Sequence, residues 1–238
     1  MPLHSGGTSQ VQSRATVPPR PPPVEPIALV LYEDPLSPWC LVAEKRISAA
    51  LDSLEGTYEP LRHEPFPLRL EPRAMSRAER ERLARSTRKA AKEPEAKGVT
   101  ADLWLSADPP LSSIPPLAAL LAARLQGVAR EEALRTALRQ AALFRGVNVS
   151  RSDVLYELAE HVGLDLSRFA GALATPLTER RVRARYEEAV DRGVDAAPAL
   201  VVGEEWLVAG PRSVDEYREI LERYAQVRHG LPSARVLH

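Results

Sequence analysis

Within the stretch Asp34-Pro35-Leu36-Ser37-Pro38-Trp39-Cys40, two side chains could do chemistry together: the hydroxyl of Ser37 and the thiol of Cys40, the only cysteine in the 238-residue chain. Ser37 is a good N-cap and Pro38 suits the first position of a helix. Cys40 then falls in the first turn, where free backbone N–H groups and the helix dipole favour a thiolate. Asp34 can accept hydrogen bonds near Ser37 or cap the loop through its own backbone. Taken singly, these residues also have plainer roles. Ser37 is then a cap worth roughly 1 kcal/mol, and Cys40 a small buried hydrophobe.

The elements that must hold this stretch can be read on either side of it. Ile27 to Tyr32 is a continuous apolar run of strand length, as in a central buried strand. A helix opens at Ser37 and runs to about Leu54, with Gly56 as its stop. Thr57 to Phe66 predicts a weaker, edge-like strand interrupted by Pro60 and Pro65. Residues 27–66 thus form a β-α-β unit with a parallel pair and a right-handed crossover. Between Arg69 and Lys97 stand ten basic and five acidic residues, mostly on a surface helix from Ser76 to Lys92 that Pro94 and Gly98 terminate. That excess either lies on a solvated face laced with Arg/Glu pairs or meets an anionic partner.

Helices without strands follow. One starts at Ser113-Ile114-Pro115-Pro116 and aligns Leu117, Leu120, Leu121, Arg124 and Leu125. A second runs from about Arg130 to Phe144 with Leu134, Leu138, Ala141 and Phe144 at helical spacing. A third opens at Ser152 or Asp153, carries Val154, Leu155, Leu158 and Val162, and ends at Gly163. The chain then returns to alternation: a charged helix from Thr178 to Arg192, a hairpin of Ala199–Val202 and Trp206–Ala209 around Gly203-Glu204-Glu205, and a last helix from Ser213 to Val227. The expected organisation is a proline-rich disordered leader (1–26), a discontinuous α/β domain (27–71 and 176–228), a helical insertion (72–175) and a loose tail (229–238).

Composition narrows the classes. Apolar residues make up 44% and charged residues 27%, an ordinary globular balance, and 32 basic residues equal 32 acidic ones. Net charge therefore gives no case for nucleic acid or an anionic membrane as a partner. No apolar run approaches the roughly 20 residues of a membrane-spanning helix, and no secretory signal core is present. One cysteine excludes an intrachain disulfide and points to a reducing compartment, so a cytoplasmic location is expected. His161 has Glu157 four residues back and no second histidine, so no metal site is expected. His63, near Pro65-Phe66, could approach the site, but a strand-end histidine is more often a surface residue. There is no phosphate loop and no Gly-x-Ser-x-Gly.

The layout β-α-β, helical insertion, α-β-β-α resembles the thioredoxin fold with an inserted all-helical subdomain, and two local sequences sharpen the resemblance. Ser37-Pro38-Trp39-Cys40 resembles the Cys-Pro-Trp-Cys motif of FrnE-like members of the DsbA family, with serine in the first position. Val194-Asp195-Ala196-Ala197-Pro198-Ala199-Leu200-Val201-Val202-Gly203 is similar to that family's segment whose proline is cis and faces the active-site turn. Weaker echoes are His63-Glu64-Pro65-Phe66, Leu143-Phe144-Arg145-Gly146-Val147-Asn148-Val149-Ser150 and Gly210-Pro211-Arg212.

The resemblance implies catalytic positions at Ser37 and Cys40 and a substrate groove formed by Pro38, Trp39, Ala197 and Pro198. A dithiol enzyme attacks with its first thiolate and resolves with its second. Ser37 removes the attacking thiol, since an alcohol forms no disulfide and stays protonated near pH 7. Three readings stay open. One is a DsbA-like domain that keeps the groove and has lost turnover, offering strand-type hydrogen bonds to a peptide or protein thiol substrate. Another is a monothiol enzyme in which Cys40 reacts with glutathione or another small thiol. The third is a glutathione-dependent transferase or isomerase, similar to the kappa-class transferases and 2-hydroxychromene-2-carboxylate isomerases, in which Ser37 donates to the glutathione thiolate and Arg212 pairs with a glutathione carboxylate. No cofactor is implied other than glutathione.

Overall fold

The computed structural model describes residues 25–54 and 58–228. The leader up to residue 24, the Gly56 stop and the tail 229–238 lie outside the described residues.

The sheet has the order β2-β1-β3-β4. Its centre is β1 (Leu29–Glu33), buried along its whole length. β1 pairs in parallel with β2 (Arg62–Pro65), with Leu31 opposite His63. It pairs antiparallel with β3 (Ala199–Val202), with Leu31 opposite Leu200. β4 (Trp206–Ala209) returns antiparallel beside β3. The pleat splits β1 between two cores. Leu29 and Leu31 pack with Ile47 of α1 (Pro38–Asp52) and with Tyr217, Leu221 and Tyr224 near the C-terminus. Val30 and Tyr32 face Phe66, Ala189 and Val194 on the other side. The hairpin depends on Gly203: its φ is +59°, and a Cβ there would lie 1.8 Å from the Tyr224 hydroxyl. That hydroxyl instead donates to the Gly203 carbonyl at 3.1 Å.

Between β2 and the second half of the sheet run α2 (Arg77–Ala90), α3 (Asp102–Leu105), α4 (Ile114–Arg124), α5 (Val128–Arg139), α6 (Ser152–His161) and α7 (Leu166–Leu173). α8 (Pro176–Asp191) leads back to β3, and α9 (Val214–Arg228) closes the described chain. The insertion core includes Leu117, Leu134, Leu138, Leu155 and Phe169. It also takes in Leu36 from the turn after β1 and Val182 from α8. Ser76 caps α2 through a reciprocal pair of bonds with Glu79.

Several details differ from expectation. The second strand is shorter, Arg62–Pro65 with one isolated bridge from Tyr58 to Ile27, because Pro60 has no N–H to add to a ladder. The helix expected to reach Phe144 ends at Arg139, and Gln140–Phe144 continues it as a π turn. Leu125 is exposed rather than core. α3 and α7 are too short for their periodicity to announce them, although Asp165 caps α7 by accepting from Arg168 N–H at 3.0 Å.

Candidate functional site: a sealed thiol above a buried ion cluster

The turn out of β1 is built by its own polar groups. The Asp34 carbonyl accepts the Ser37 N–H at 3.0 Å. Its carboxylate also accepts Leu36 N–H (Oδ1, 2.8 Å) and Leu68 N–H (Oδ2, 2.8 Å), tying the turn to the segment after β2. Ser37 sits in extended backbone and accepts the Cys40 N–H on Oγ at 3.3 Å. Trp39 is half-buried, and its indole N–H donates to Ser86 Oγ of α2 at 3.1 Å. The β1/β3 register runs from Leu29↔Val202 to Tyr32↔Ala199. One step further brings Pro198 level with Glu33, at the end of the sheet where the Ser37 turn leaves. The Ala197–Pro198 peptide bond is cis, Ala197 is half-buried and Pro198 is buried. Ser37, Pro38, Trp39 and Cys40 thus share one helix start, and Ala197 and Pro198 enter the same end of the sheet. The Arg212 carbonyl accepts from Arg46 of α1 at 3.3 Å.

The expectation of a thiolate at Cys40 is overturned. The side chain is 0% exposed and its thiol is pushed up to about 12. Burial is the first cause and the charge of Glu33 the second; the Ser37 hydroxyl works the other way. A helix N-terminus contributes about 0.3–1 kcal/mol, less than one pKa unit, and cannot outweigh burial.

Beneath the turn lies a cluster that sequence reasoning missed. Glu33, at the end of β1, is buried. Its Oε1 lies 2.9 Å from His63 Nδ1 and 2.7 Å from Arg135 Nε, and its Oε2 accepts from Arg139. Arg135 Nε makes this approach without hydrogen-bond alignment, so that contact is chiefly Coulombic. Arg139 also donates to Glu44 of α1. Glu131 accepts from Arg135 at 2.5 Å and from Arg124 at 2.7 Å, and Arg124 reaches Glu64 at 3.2 Å. His63 is therefore an interior member of this cluster, not a surface residue. Burial alone would raise the Glu33 pKa. Arg139, His63 and Arg135 overcome it and hold the carboxyl well below the usual range. Donor atoms of Glu33, Glu44 and His63 lie within 4.8 Å of one another, close enough to share a cation. The Arg139 guanidinium already fills that role for the two carboxylates. The missed signal is Glu131, Arg135 and Arg139 at i, i+4 spacing beside the apolar pair Leu134 and Leu138.

These two carboxyls pull pH dependence in opposite directions. Burial raises Asp34 to about 6 from 3.8, against the bonds it accepts from Ser113, Leu68 and Leu36. Its folded form binds a proton before its unfolded form does, so stability rises as pH falls from 7 towards 4, by about 3 kcal/mol at most. Glu33 is depressed in the fold, so its contribution is present above the ordinary glutamate pKa and is lost as pH falls below it. Urea unfolding at pH 7, 5 and 3 is expected to show a maximum near the middle value. Asp34→Asn should flatten the limb above it; an unchanged limb would remove Asp34 as its source.

A four-stranded mixed sheet with a helix-capped turn at its end and a helical insertion after β2 defines a thioredoxin-type α/β fold. The chain belongs to the DSBA-like thioredoxin domain family, whose model matches residues 28–222. Its fold is shared by a candidate protein disulfide isomerase of Nitrosomonas europaea, with a TM-score of 0.73 and 17% identity over 85% of this chain and 99% of that one. It is shared also by the cytosolic disulfide reductase DsbM of Pseudomonas aeruginosa, solved with GSH, with a TM-score of 0.62 and 19% identity over 84% of this chain and 99% of that one. A sequence relative is the ClpXP adapter protein SpxH of Halalkalibacterium halodurans, 32% identical over 127 residues, 51% of this chain. The match spans 41% of that protein's length. Among the described residues no helix is long and apolar enough to cross a membrane.

Proposed function

We propose that this chain is a DsbA-like domain that has lost thiol–disulfide turnover and holds an extended peptide at half-buried Trp39 and Ala197, with buried Pro38 and Pro198 shaping the backbone beneath them. The observation that carries this is the sealed Cys40. With the thiol at about 12, roughly one molecule in ten thousand holds a thiolate at pH 8, and full burial denies that fraction a partner. Ser37 cannot substitute for the missing attacking thiol. A relative named as an adapter protein agrees with a role in binding. The position of α2–α7 between β2 and α8 supports the division into a discontinuous thioredoxin-like domain (27–71, 176–228) and a helical insertion (72–175). A single cysteine fits the cytoplasm.

The test has a chemical and a binding arm. Dithiobis-nitrobenzoate at pH 8 is expected to leave the native thiol unmodified over an hour and to titrate it fully in denaturant, and a separate insulin-reduction assay with dithiothreitol is expected to stay at background. A fluorescein-labelled, uncharged dodecapeptide of Gln-Ser-Val repeats is expected to bind, and Trp39→Ala to weaken that binding about tenfold, the loss of one aromatic contact. Rapid modification of native Cys40 would overturn the reading in favour of monothiol chemistry. One observation favours a second reading. The Ser37 hydroxyl, 4% exposed at the helix start, favours the thiolate form of neighbouring Cys40, and the same hydroxyl would favour a glutathione thiolate brought against it. Calorimetric binding of millimolar glutathione that disappears in Ser37→Ala would put that reading first.

A further inference from the structure

The helix that carries Ser86 to Trp39 is also strongly basic, with six arginines and lysines against two glutamates. Arg82, Arg85, Arg88, Lys89 and Lys92 are all exposed. Successive members of Arg82, Arg85, Arg88/Lys89 and Lys92 are three or four residues apart, so they lie on one stripe along α2 and just past its end. Arg82 and Lys89 are the i−4 and i+3 neighbours of Ser86, so this stripe runs directly beside the position that Trp39 touches.

The nearby acids do not neutralise it. Glu79 is held by Arg73 and Glu81 by Arg77. Glu93 and Glu95 are both held by Arg46 of α1. Among the described residues, none of the five cations of the stripe has an ion-pair partner, in a chain whose basic and acidic residues balance at 32 each. Residues in the last turn gain from the helix dipole, which accounts for Arg88 and Lys89. It does not account for Arg82 and Arg85, further up the helix.

We propose that the α2 stripe selects the partner held at the Trp39–Ala197 surface: an extended peptide segment with several carboxylates on the side that leaves the groove over Trp39. The inference rests on the peptide-binding reading. The stripe is a single line along one helix that meets Trp39 at Ser86, which suits a single extended chain carrying spaced charges. Unpaired exposed cations steer such a chain and discriminate against neutral and basic ones, and salt weakens the effect.

Two labelled dodecapeptides test this by fluorescence anisotropy, one of Glu-Ser-Val repeats and one of Gln-Ser-Val repeats. In low salt the acidic peptide is expected to bind about tenfold more tightly than the neutral one, and raising salt should erase most of the difference. The triple reversal Arg82→Glu/Arg85→Glu/Lys89→Glu changes only exposed positions, and circular dichroism confirms its fold. It is expected to abolish the preference for the acidic peptide and to leave neutral-peptide binding unchanged. Trp39→Ala should weaken both peptides. Equal binding of the two peptides, or a preference that survives the triple reversal, overturns the inference while the peptide reading stands. Failure of both peptides to bind overturns both. Tighter binding of a labelled single-stranded oligonucleotide than of the acidic peptide, lost in the triple reversal, assigns the stripe to nucleic acid and overturns the inference as well.

Discussion

Glu33→Ala is expected to destabilise the protein by about 3–5 kcal/mol, the usual cost of removing one partner from a buried ion pair. Arg135 and Arg139 are each 5% exposed and would keep their charges after losing their shared carboxylate. Glu131 and Glu44 remain bonded to them, so the loss should not exceed that range. At this chain length the melting temperature should fall by about 10 °C. Glu33→Gln retains acceptor capacity on one oxygen and should lose less. The measurement is urea unfolding of the three proteins at pH 7. A loss below about 1 kcal/mol for the alanine variant would mean that water reaches and solvates the arginines. The same variants bear on Cys40. Removing Glu33 takes away the second cause of its raised pKa but leaves the first, burial, so dithiobis-nitrobenzoate should still fail to modify the native thiol.

Ser37→Cys is expected to turn a chain with one cysteine into one with a two-thiol couple. The N-cap position already directs its side chain at the Cys40 backbone, and the DsbA-like turn places a second sulfur beside Cys40. Mild oxidation with oxidised glutathione should remove both thiols and form one intramolecular disulfide, releasing reduced glutathione. Insulin reduction with dithiothreitol as electron source should rise from background to a measurable rate that vanishes in Ser37→Cys/Cys40→Ala. The helix N-terminus favours a thiolate at position 37 while burial there opposes it, and buried Cys40 resolves slowly, so the rate should stay modest. Loss of the serine cap should cost the reduced variant roughly 1 kcal/mol. Two free thiols persisting under oxidant would mean that the Ser37 turn does not have the geometry derived for it.

The fold was legible because its signals are local. An apolar run followed by Ser37-Pro38, and Ala199–Val202 separated from Trp206–Ala209 by a glycine turn, carry their own boundary marks. The site was legible only as an outline. Ser37, Trp39, Cys40 and Pro198 stand out as a motif, but the reactivity of Cys40 depends on what covers it, and that comes from residues distant in the chain. A first-turn position argues for a thiolate, and only the packed interior shows the stronger opposing effect of burial. The ion cluster was harder still. Glu33 closes an apolar run, His63 sits on an edge strand, and Arg135 and Arg139 lie more than 100 positions later; no window of sequence contains them together. Charged residues on an apolar helix stripe are the visible sign, but arginines at such positions usually reach solvent with their heads.

That cluster also determines how the molecule comes apart. The sheet and α1 contribute Glu33, Glu64 and Glu44; α4 and α5 contribute Arg124, Arg135 and Arg139, with Glu131 among them. Each half is electrically incomplete without the other. Pulling the helical stretch away from the sheet would expose an acidic hole on one side and a basic ridge on the other. The insertion core, which already takes in Leu36 and Val182, and the cores on the two faces of the sheet are thereby tied together by charge as well as by packing. Although the helical stretch is inserted in sequence, excising it would strand the carboxylates of β1 and β2 without their counter-ions.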